Sequence, residues 1–499
     1  MTRHLVRWLR TAAAKLVVTT WLVYALFATT NVARETYLSL AVAERWSIRV
    51  DEYQGLHPDL FEMPGRGWYI NNNPGTSFLG AIPYTLARPA LSALYAWKPH
   101  LLAPKPPATY DDARPNRSKF LNASRARGLD VKLGLAALIT GVGLMAPLGA
   151  LAAWVLFRFL RARGMPERRA IGCGLLYALV TPIFFRSAFL NQNAILTHCV
   201  LGAYVLLAGW TPRPRGALPS ARDIALAGAL LGFGLLCDYG AVPLIVAFGV
   251  WVLALHVRRG VVAMLRAGAT YTLGAVPMIV ALFWYQAAAF GSPWFPAQRY
   301  MPATKYSVIG WNGFFVPTAE LLTGNLFDPR YGLFVFCPLL AAALFAGFVR
   351  RDATDPDAGQ LRGILGVSLA LYLFSSANQF AMLQWNTGVR YLVPLAPLLF
   401  LAALPVLRAM PRPAAGLLVG TSVVISCVVS MTRESVPDAL RLVAREGPTL
   451  PIFIVLEKVA SGYPALQFGL VGPLVAFGGL ALVLWLLWRR SSVAPEVRA

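Results

Sequence analysis

Apolar segments long enough to cross a membrane recur along almost the whole chain. A helix needs about 20 apolar residues to span a bilayer, and about twelve segments approach that length. They lie at residues 13–32, 133–158, 170–189, 194–210, 223–237, 240–257, 263–288, 332–349, 362–380, 391–408, 414–431 and 466–488. The pattern predicts an all-α polytopic membrane protein with a single transmembrane domain over residues 1–499.

Composition and charge sharpen this prediction. Apolar residues make up 57% of the chain and charged residues only 13%, which is too little charge for the surface of a soluble domain. The net charge of +23 would suggest a nucleic-acid partner in a soluble protein. Here the basic residues crowd short alternate loops, and this positive-inside pattern puts both termini in the cytoplasm and argues against nucleic-acid binding. Examples are Arg158, Arg161, Arg163, Arg168, Arg169, Arg258, Arg259, Arg350 and Arg351.

The five cysteines predict no metal site and no disulfide framework. All lie within or beside apolar segments, without ligand spacing, so we expect small packing residues. They are Cys173, Cys199, Cys237, Cys337 and Cys427. We therefore expect no resident metal or cofactor, and a divalent cation is not required by the chemistry below.

Three segments on the predicted outer face are long enough to have structure of their own: 33–132, 289–331 and 432–465. In the first, residues 77–97 are interrupted by two prolines, so we expect broken amphipathic helices lying in the membrane interface. The last segment predicts a short interfacial helix.

Asp51 and Glu52 are the first candidates for catalysis. A carboxylate held above a membrane cavity, near apolar walls, can have its pKa raised toward the working pH. It can then act as a general base on a hydroxyl. The alternative is a solvated loop acid.

The segment 69–77, Tyr-Ile-Asn-Asn-Asn-Pro-Gly-Thr-Ser, predicts a turn, because Asn, Pro and Gly all favour one. Tyr69 and the amides of Asn71, Asn72 and Asn73 could also contact a sugar or a phosphate. Both interpretations stay open.

Two further polar residues lie at predicted outer ends of spans. His198 stands at the start of a span and has no second histidine at ligand spacing, so a packing role competes with substrate contact. Asp238 interrupts an apolar hairpin, where a carboxylate indicates either function or an aqueous turn.

Arg390 and Arg330 are the basic residues of their immediate outer stretches. A guanidinium suits bidentate contact with phosphate, whereas the alternative is an arginine that reaches toward lipid head groups. Trp385, five residues before Arg390, is a further candidate for substrate contact.

In their order along the chain, these segments resemble the GT-C superfamily of integral-membrane glycosyltransferases. The nearest branch holds bacterial proteins similar to protein-mannosyltransferases and aminoarabinose transferases. The resemblance rests on the first-loop acid Asp51, the turn at 69–79, His198, and the motifs at 227–239, 289–293, 328–338 and 390–394. Relatives often carry an Asp-Lys pair just before the Pro-Gly turn, whereas this chain has Asn71 and Asn72.

The resemblance implies an enzyme that takes sugar from a polyprenyl-phosphate carrier and inverts the anomeric centre. It implies that Asp51, or its neighbour Glu52, is the general base. It also implies that Arg390, with Arg330 and a first-loop cation such as Lys119 or Arg125, holds the donor phosphate. The acceptor would be a lipid, a glycan or a protein, at the outer face of a bacterial inner membrane.

Two other functions remain open at this point. A transporter or lipid flippase needs charged groups near the middle of its spans, and here polarity is concentrated at one face. An inactive GT-C-like scaffold that binds a lipid-linked glycan would explain Asn71 and Asn72.

Overall fold

The computed structural model describes residues 11–108, 117–210, 217–386, 388–459 and 468–489, and these fold into helices with one small β-hairpin. Helices α1–α6 are Ala12–Leu26, Arg34–Arg45, Gly75–Trp97, Arg117–Ala126, Asp130–Thr140 and Ala146–Ala162. Helices α7–α12 are Glu167–Val180, Ile183–Arg186, Gln192–Ala208, Ala221–Cys237, Ala241–His256 and Val261–Phe290. Helices α13–α16 are Ala319–Phe327, Leu333–Phe336, Ala358–Ala377 and Ala396–Ala409. Helices α17–α20 are Arg412–Thr432, Val436–Glu446, Pro451–Val459 and Val471–Arg489. Strands β1 and β2 are Leu60–Met63 and Gly67–Ile70.

Each of the predicted spans contains helix among the residues that the structure describes, which confirms the all-α fold class. In the described residues, six helical stretches are long and apolar enough to cross a membrane, and α1, α9 and the helix Val393–Ala409 are shorter apolar helices. The predicted span 170–189 is divided into α7 and α8, and 332–349 is α14 followed by the 3₁₀ helix Pro338–Phe345.

Helices α10 and α12 pack with their backbones in close contact, because small residues face each other. A Cβ added at Gly228 would lie 2.0 Å from the carbonyl oxygen of Tyr271, and one at Gly274 would lie 2.0 Å from that of Ala225. Between membrane helices, where apolar side chains gain little from leaving lipid, such close approach is a main source of association. Asp238 is the C-cap residue of α10.

The first loop packs onto the end of α12 and differs from the sequence prediction in one respect. Helix α3 is a single helix through Pro83 and Pro89, not a pair of broken helices. Each proline removes one backbone hydrogen bond; α3 also packs against α2, where the Ser39 hydroxyl donates to the Ser77 carbonyl at 2.9 Å. Residues of α2, the β-hairpin, α3 and the last turns of α12 form a common apolar core.

The basic loops meet at one end of the bundle. Arg163 donates to the carbonyl of Ala208 and to Gln360, and Arg408 pairs with Asp352 and Asp355. We call Arg163, Asp352, Asp355, Gln360 and Arg408 the basic-end cluster. It joins the ends of α6, α9, α15 and α16, all of which the predicted alternation of spans places on the same side.

Candidate functional site

At the opposite helix ends, the structure brings together a set of buried and half-buried charged and amide side chains. They come from the start of α2, the segments flanking the hairpin, the start of α9 and the loop before α16. We call them the polar network, which comprises Arg34, Glu35, Asp59, Asn71, Asn72, Gln192 and Arg390. Burying charges is costly unless they are paired and hydrogen-bonded. The charged side chains of this set therefore need hydrogen-bond or ion-pair partners within it.

Glu35 is the most enclosed carboxylate of the polar network, with a side chain only 2% exposed. It accepts from Arg34 Nε at 3.1 Å and from the Asn72 amide at 2.8 Å. With the Gln192 amide oriented to satisfy its neighbours, Gln192 donates to Glu35 at 2.8 Å. Three donors therefore converge on one carboxylate and fix its position.

Asp59 is the second carboxylate of the polar network and forms an ion pair with Arg34 at 2.5 Å. The Asn71 amide donates to its other oxygen at 3.0 Å. Burial opposes ionisation, but the positive charge of Arg34 prevails and holds the pKa of Asp59 at about 2. Asp59 is thus a permanent anion at any physiological pH.

His57 lies beside Asp59 as a neutral ring. The backbone N–H of Asp59 donates to His57 Nδ1 at 3.0 Å. Burial lowers the pKa of His57 below its usual value, despite the nearby Asp59 charge. The ring therefore accepts through Nδ1 and packs against Tyr37 and Phe120.

Arg390 is the cation of the polar network that keeps spare hydrogen-bonding capacity. Its Nη2 donates to the Gln192 amide oxygen at 3.0 Å, and its guanidinium lies over the Tyr391 ring. Across the described residues, no carboxylate lies within ion-pair distance of it. The backbone beneath is fixed, because Gln384 Oε1 accepts from the N–H groups of Arg390 and Tyr391 at 3.0 Å each.

Two more arginines add positive charge next to Arg390. Arg186, at the end of α8, is buried and lies in electrostatic range of Arg390 and Arg433. Arg433 ends α17 in the left-handed region at φ 62°, a strained conformation for a non-glycine residue. Its Nη1 donates to the Phe185 carbonyl at 2.8 Å, and both guanidiniums stack on Phe189.

Asp238 lies at the margin of this site. It accepts from the Gly240 N–H at 2.6 Å and from the Asn193 amide at 3.1 Å. Burial raises the pKa of Asp238, although Arg390 and Arg34 lie close enough to oppose the shift. Asn73 anchors the adjacent turn by donating to the Leu235 carbonyl at 2.6 Å.

The structure places Asp51 and Glu52 in a different environment. Asp51 accepts from the Trp68 N–H at 2.7 Å and pairs with Arg49 at 2.7 Å. Glu52 pairs with Arg45 at 2.6 Å. These contacts hold the β-hairpin against the end of α2, and none of them joins either acid to the polar network.

Of the predicted phosphate ligands, only Arg390 lies in the polar network. Arg330 is exposed and makes a bidentate pair with Asp328. Lys119 lies over the Phe120 ring. Arg125 is buried, and it donates to the Pro106 carbonyl and pairs with Asp130, so it holds the loop before α4.

The remaining predicted residues have varied positions. Tyr69 is buried against Phe290 and donates to the Arg66 carbonyl. Both ring nitrogens of His198 are buried without a hydrogen-bond partner in the part of the chain that the structure describes. Trp385 lies in the 3₁₀ helix Gln379–Asn386, and its side chain lies outside the described set.

Sequence reasoning missed Arg34, Glu35, Asp59 and Gln192. Arg34 and Glu35 are adjacent opposite charges just after a span, which resembles an ordinary membrane-edge segment. The one signal available was the position of Glu35, a carboxylate in the first turn of a helix that directly follows a span. The described residues hold no group of three or more His, Cys, Asp or Glu side chains that could bind a metal ion.

Comparison with known proteins adds one similarity. No protein-family model matches the chain, and no curated protein matches it in sequence. Among solved structures, the fold is similar to the crystal structure of ArnT from Cupriavidus metallidurans in the apo state, with a TM-score of 0.47 and 14% identity. That match covers 95% of this chain and 75% of the other. At this identity the likeness concerns the fold alone.

Proposed function

We propose that this protein is a membrane glycosyltransferase that moves a sugar from a polyprenyl-phosphate carrier to an acceptor hydroxyl. The observation that carries the proposal is the hydrogen-bonded line Glu35–Gln192–Arg390. It places an enclosed carboxylate and a guanidinium without an ion-pair partner on either side of a single amide. Transfer from a phosphate ester needs these two groups, a base for the hydroxyl and a cation for the leaving phosphate.

Arg390 is the proposed ligand of the donor phosphate. A guanidinium that is bonded only to a neutral amide can give its remaining N–H groups to phosphate oxygens in a bidentate contact. Arg186 and Arg433 raise the positive potential around it. Their combined charge stabilises the negative charge that develops on the phosphate as the bond to the sugar breaks.

Glu35 is the proposed general base. In the hydrogen-bonded line, only Gln192 separates Glu35 from the proposed phosphate ligand Arg390. The other carboxylate, Asp59, has a pKa of about 2 and is therefore a weak base. Asp59 and Arg34 instead form a fixed pair that positions Glu35. The acceptor hydroxyl would replace one of the three donors to Glu35 when it binds.

Buried acceptors around the polar network suit a sugar. Within the described residues, Asn71 Oδ1, Asn193 Oδ1 and Gln298 Oε1 are buried without a hydrogen-bond donor. An unsatisfied buried polar atom costs about 1–3 kcal/mol. The hydroxyls of a hexose or pentose would supply donors of the required kind.

In the proposed reaction the acceptor oxygen attacks the anomeric carbon on the face opposite the phosphate. The new carbon–oxygen bond forms, the bond to the phosphate oxygen breaks, and the anomeric centre inverts. Glu35 takes the hydroxyl proton, and polyprenyl phosphate leaves on Arg390. The amides of Asn71 and Asn72, which occupy the place of the charged pair in relatives, hold Asp59 and Glu35.

The predicted sidedness puts this reaction at the outer face of a bacterial inner membrane. The basic-end cluster joins the loops predicted to be cytoplasmic, and the polar network lies at the other ends of the same helices. A lipid-linked donor would reach it from the outer leaflet.

The test is sugar transfer by purified protein in proteoliposomes, with a panel of labelled polyprenyl-phosphate sugars and membrane-lipid acceptors. Glu35→Gln should lose about 10²–10⁴-fold in rate, the usual value of a general base. Asp51→Asn should stay within a few-fold of wild type. The reverse outcome would make Asp51 the base and leave the transferase assignment intact.

Other results of the same assay would reject the transferase assignment. Donor that crosses the bilayer without transfer to any acceptor would indicate a flippase. Donor that binds without crossing or reacting would indicate a scaffold.

A further inference from the structure

The basic end carries a cleft that the proposed function does not use. It has a volume of about 370 Å³ and is lined by Arg351, Ala358, Leu361, Arg362 and Leu365. The cleft lies beside the first two turns of α15. It therefore combines two guanidiniums with an apolar wall.

The two arginines of this cleft keep their charge available. In the described residues, neither Arg351 nor Arg362 has a carboxylate within ion-pair distance, and Arg362 Nε donates only to the Ala358 carbonyl at 3.2 Å. Of the nearest acids in sequence, Asp352 and Asp355 are engaged by Arg408, and Asp357 caps α15 by accepting from the N–H groups of Gly359 and Gln360. An anion from outside the chain would therefore meet two guanidiniums whose charge no neighbouring acid neutralises.

Below the arginines the cleft continues into a lipid-facing stripe. Leu365, Leu369 and Leu373 recur every four residues along α15, and they are 66%, 50% and 41% exposed. In a membrane-spanning helix such exposed leucines contact acyl chains. The charges therefore stand at the head of an apolar track that runs into the bilayer.

We propose that this cleft binds one anionic glycerophospholipid from the leaflet at the basic end. The head-group phosphate contacts Arg351 and Arg362, and an acyl chain lies along Leu361, Leu365 and Leu369. Charge alone fits any phosphate, but the apolar continuation selects a lipid over a soluble anion. Basic pockets between helices on this side of a membrane are typical sites for acidic lipid head groups.

The test is native mass spectrometry of the full-length protein, titrated with phosphatidylglycerol or phosphatidylcholine. Wild type should retain one phosphatidylglycerol in preference to phosphatidylcholine. Arg351→Gln with Arg362→Gln should weaken that binding about 30-fold, from the usual contribution of two basic residues. The matched control, Arg258→Gln with Arg259→Gln, removes the same charge from the same end and should bind as wild type.

Leu365→Gln separates the two sources of phosphate. It should weaken phosphatidylglycerol binding while both arginines remain, and inorganic phosphate at millimolar concentration should not displace the lipid. Equal loss in the control pair would overturn the proposal, because it would show a general effect of surface charge. Displacement by inorganic phosphate, or unchanged binding in Leu365→Gln, would overturn it as well.

Discussion

Arg408 lies in the last turn of α16 at the basic end, Arg390 lies in the loop before α16 at the opposite end, and the two arginines have opposite surroundings. Arg408 pairs with two carboxylates, Asp352 at 2.6 Å and Asp355, whose side chain is 2% exposed. Arg390 has the Gln192 amide as its side-chain hydrogen-bond acceptor. The first arginine is neutralised within the protein, and the second is held in place without being neutralised.

We interpret Arg408 as a charge that stabilises the fold, and we propose Arg390 as a charge that binds a ligand. A paired arginine lowers the cost of burying the acids near it, and its loss leaves those acids uncompensated. An arginine fixed by neutral groups keeps its electrostatic attraction for an incoming anion. We therefore expect substitutions at the two ends to affect different measurable properties.

The largest expected contrast is between Arg390→Gln and Arg408→Gln. Arg390→Gln should lower sugar transfer by about 10²–10³-fold, the usual loss when a group that stabilises developing charge is removed, with little change in stability. Arg408→Gln should cost about 1–3 kcal/mol of stability, between the values for exposed and buried pairs. Thermal unfolding and transfer rates of both variants check this. Similar unfolding temperatures for the two variants would remove the distinction.

Asn72→Asp should have the next largest effect. It replaces the amide donor to Glu35 with a second carboxylate 2.8 Å away, and like charges at that distance disfavour ionisation of both. Transfer should fall about tenfold or more at pH 7 and recover partly at higher pH if Glu35 is the base. The control is Asn122→Asp, which makes the same change in the first loop outside the polar network. A pH profile of Asn72→Asp identical to wild type would contradict the assignment of Glu35 as the general base.

Gln384→Leu should have a moderate effect on donor binding. Gln384 orients Arg390 through its backbone and is itself held by Asn325 at 2.8 Å. Its loss should raise the donor KM about tenfold and change kcat less, because the guanidinium is displaced but still present. Gln379→Leu, in the same 3₁₀ helix, is the matched control. Equal changes in both variants would indicate a general loosening of that helix.

The smallest expected effect is a pH dependence of stability from His57. Burial lowers the pKa of His57 in the folded state, so the unfolded chain takes up a proton first as the pH falls. The contribution of the neutral His57 ring to the free energy of unfolding is present above about pH 6.5, the ordinary pKa of histidine. It is lost as the pH falls below that value. Asp59, with a pKa of about 2, stays ionised throughout. Unfolding temperatures at pH 5.0 and 7.5 should differ less in His57→Asn than in wild type.

The membrane-spanning framework could be predicted from sequence because apolar length is a local property. Each expected span contains helix among the described residues, and the isolation of Arg390 in an outer stretch made it a candidate. The course of α3 through Pro83 and Pro89 could not be predicted locally, because α3 packs against α2, a contact between distant parts of the sequence.

The membership of the site depends on contacts between distant parts of the chain. Asn72 bonds to Glu35 across 37 positions, and Gln192 joins Glu35 to Arg390 from a third segment. Asp51 and Glu52 form a conspicuous acidic pair in sequence, but Arg49 and Arg45 engage them in the folded protein. Sequence identifies residue types that could do the chemistry, and the tertiary structure decides which of them meet.

The most direct test of the account is the binding of labelled polyprenyl phosphate to wild type, Arg390→Gln and Arg330→Gln in nanodiscs. Arg330 is neutralised by Asp328 and serves as the paired counterpart on the same side of the protein. We predict that Arg390→Gln weakens binding at least about 30-fold, in the range for a charge-assisted bidentate contact, and that Arg330→Gln leaves it unchanged. Wild-type affinity in Arg390→Gln, or an equal loss in Arg330→Gln, would contradict the assignment of the lipid phosphate to the polar network.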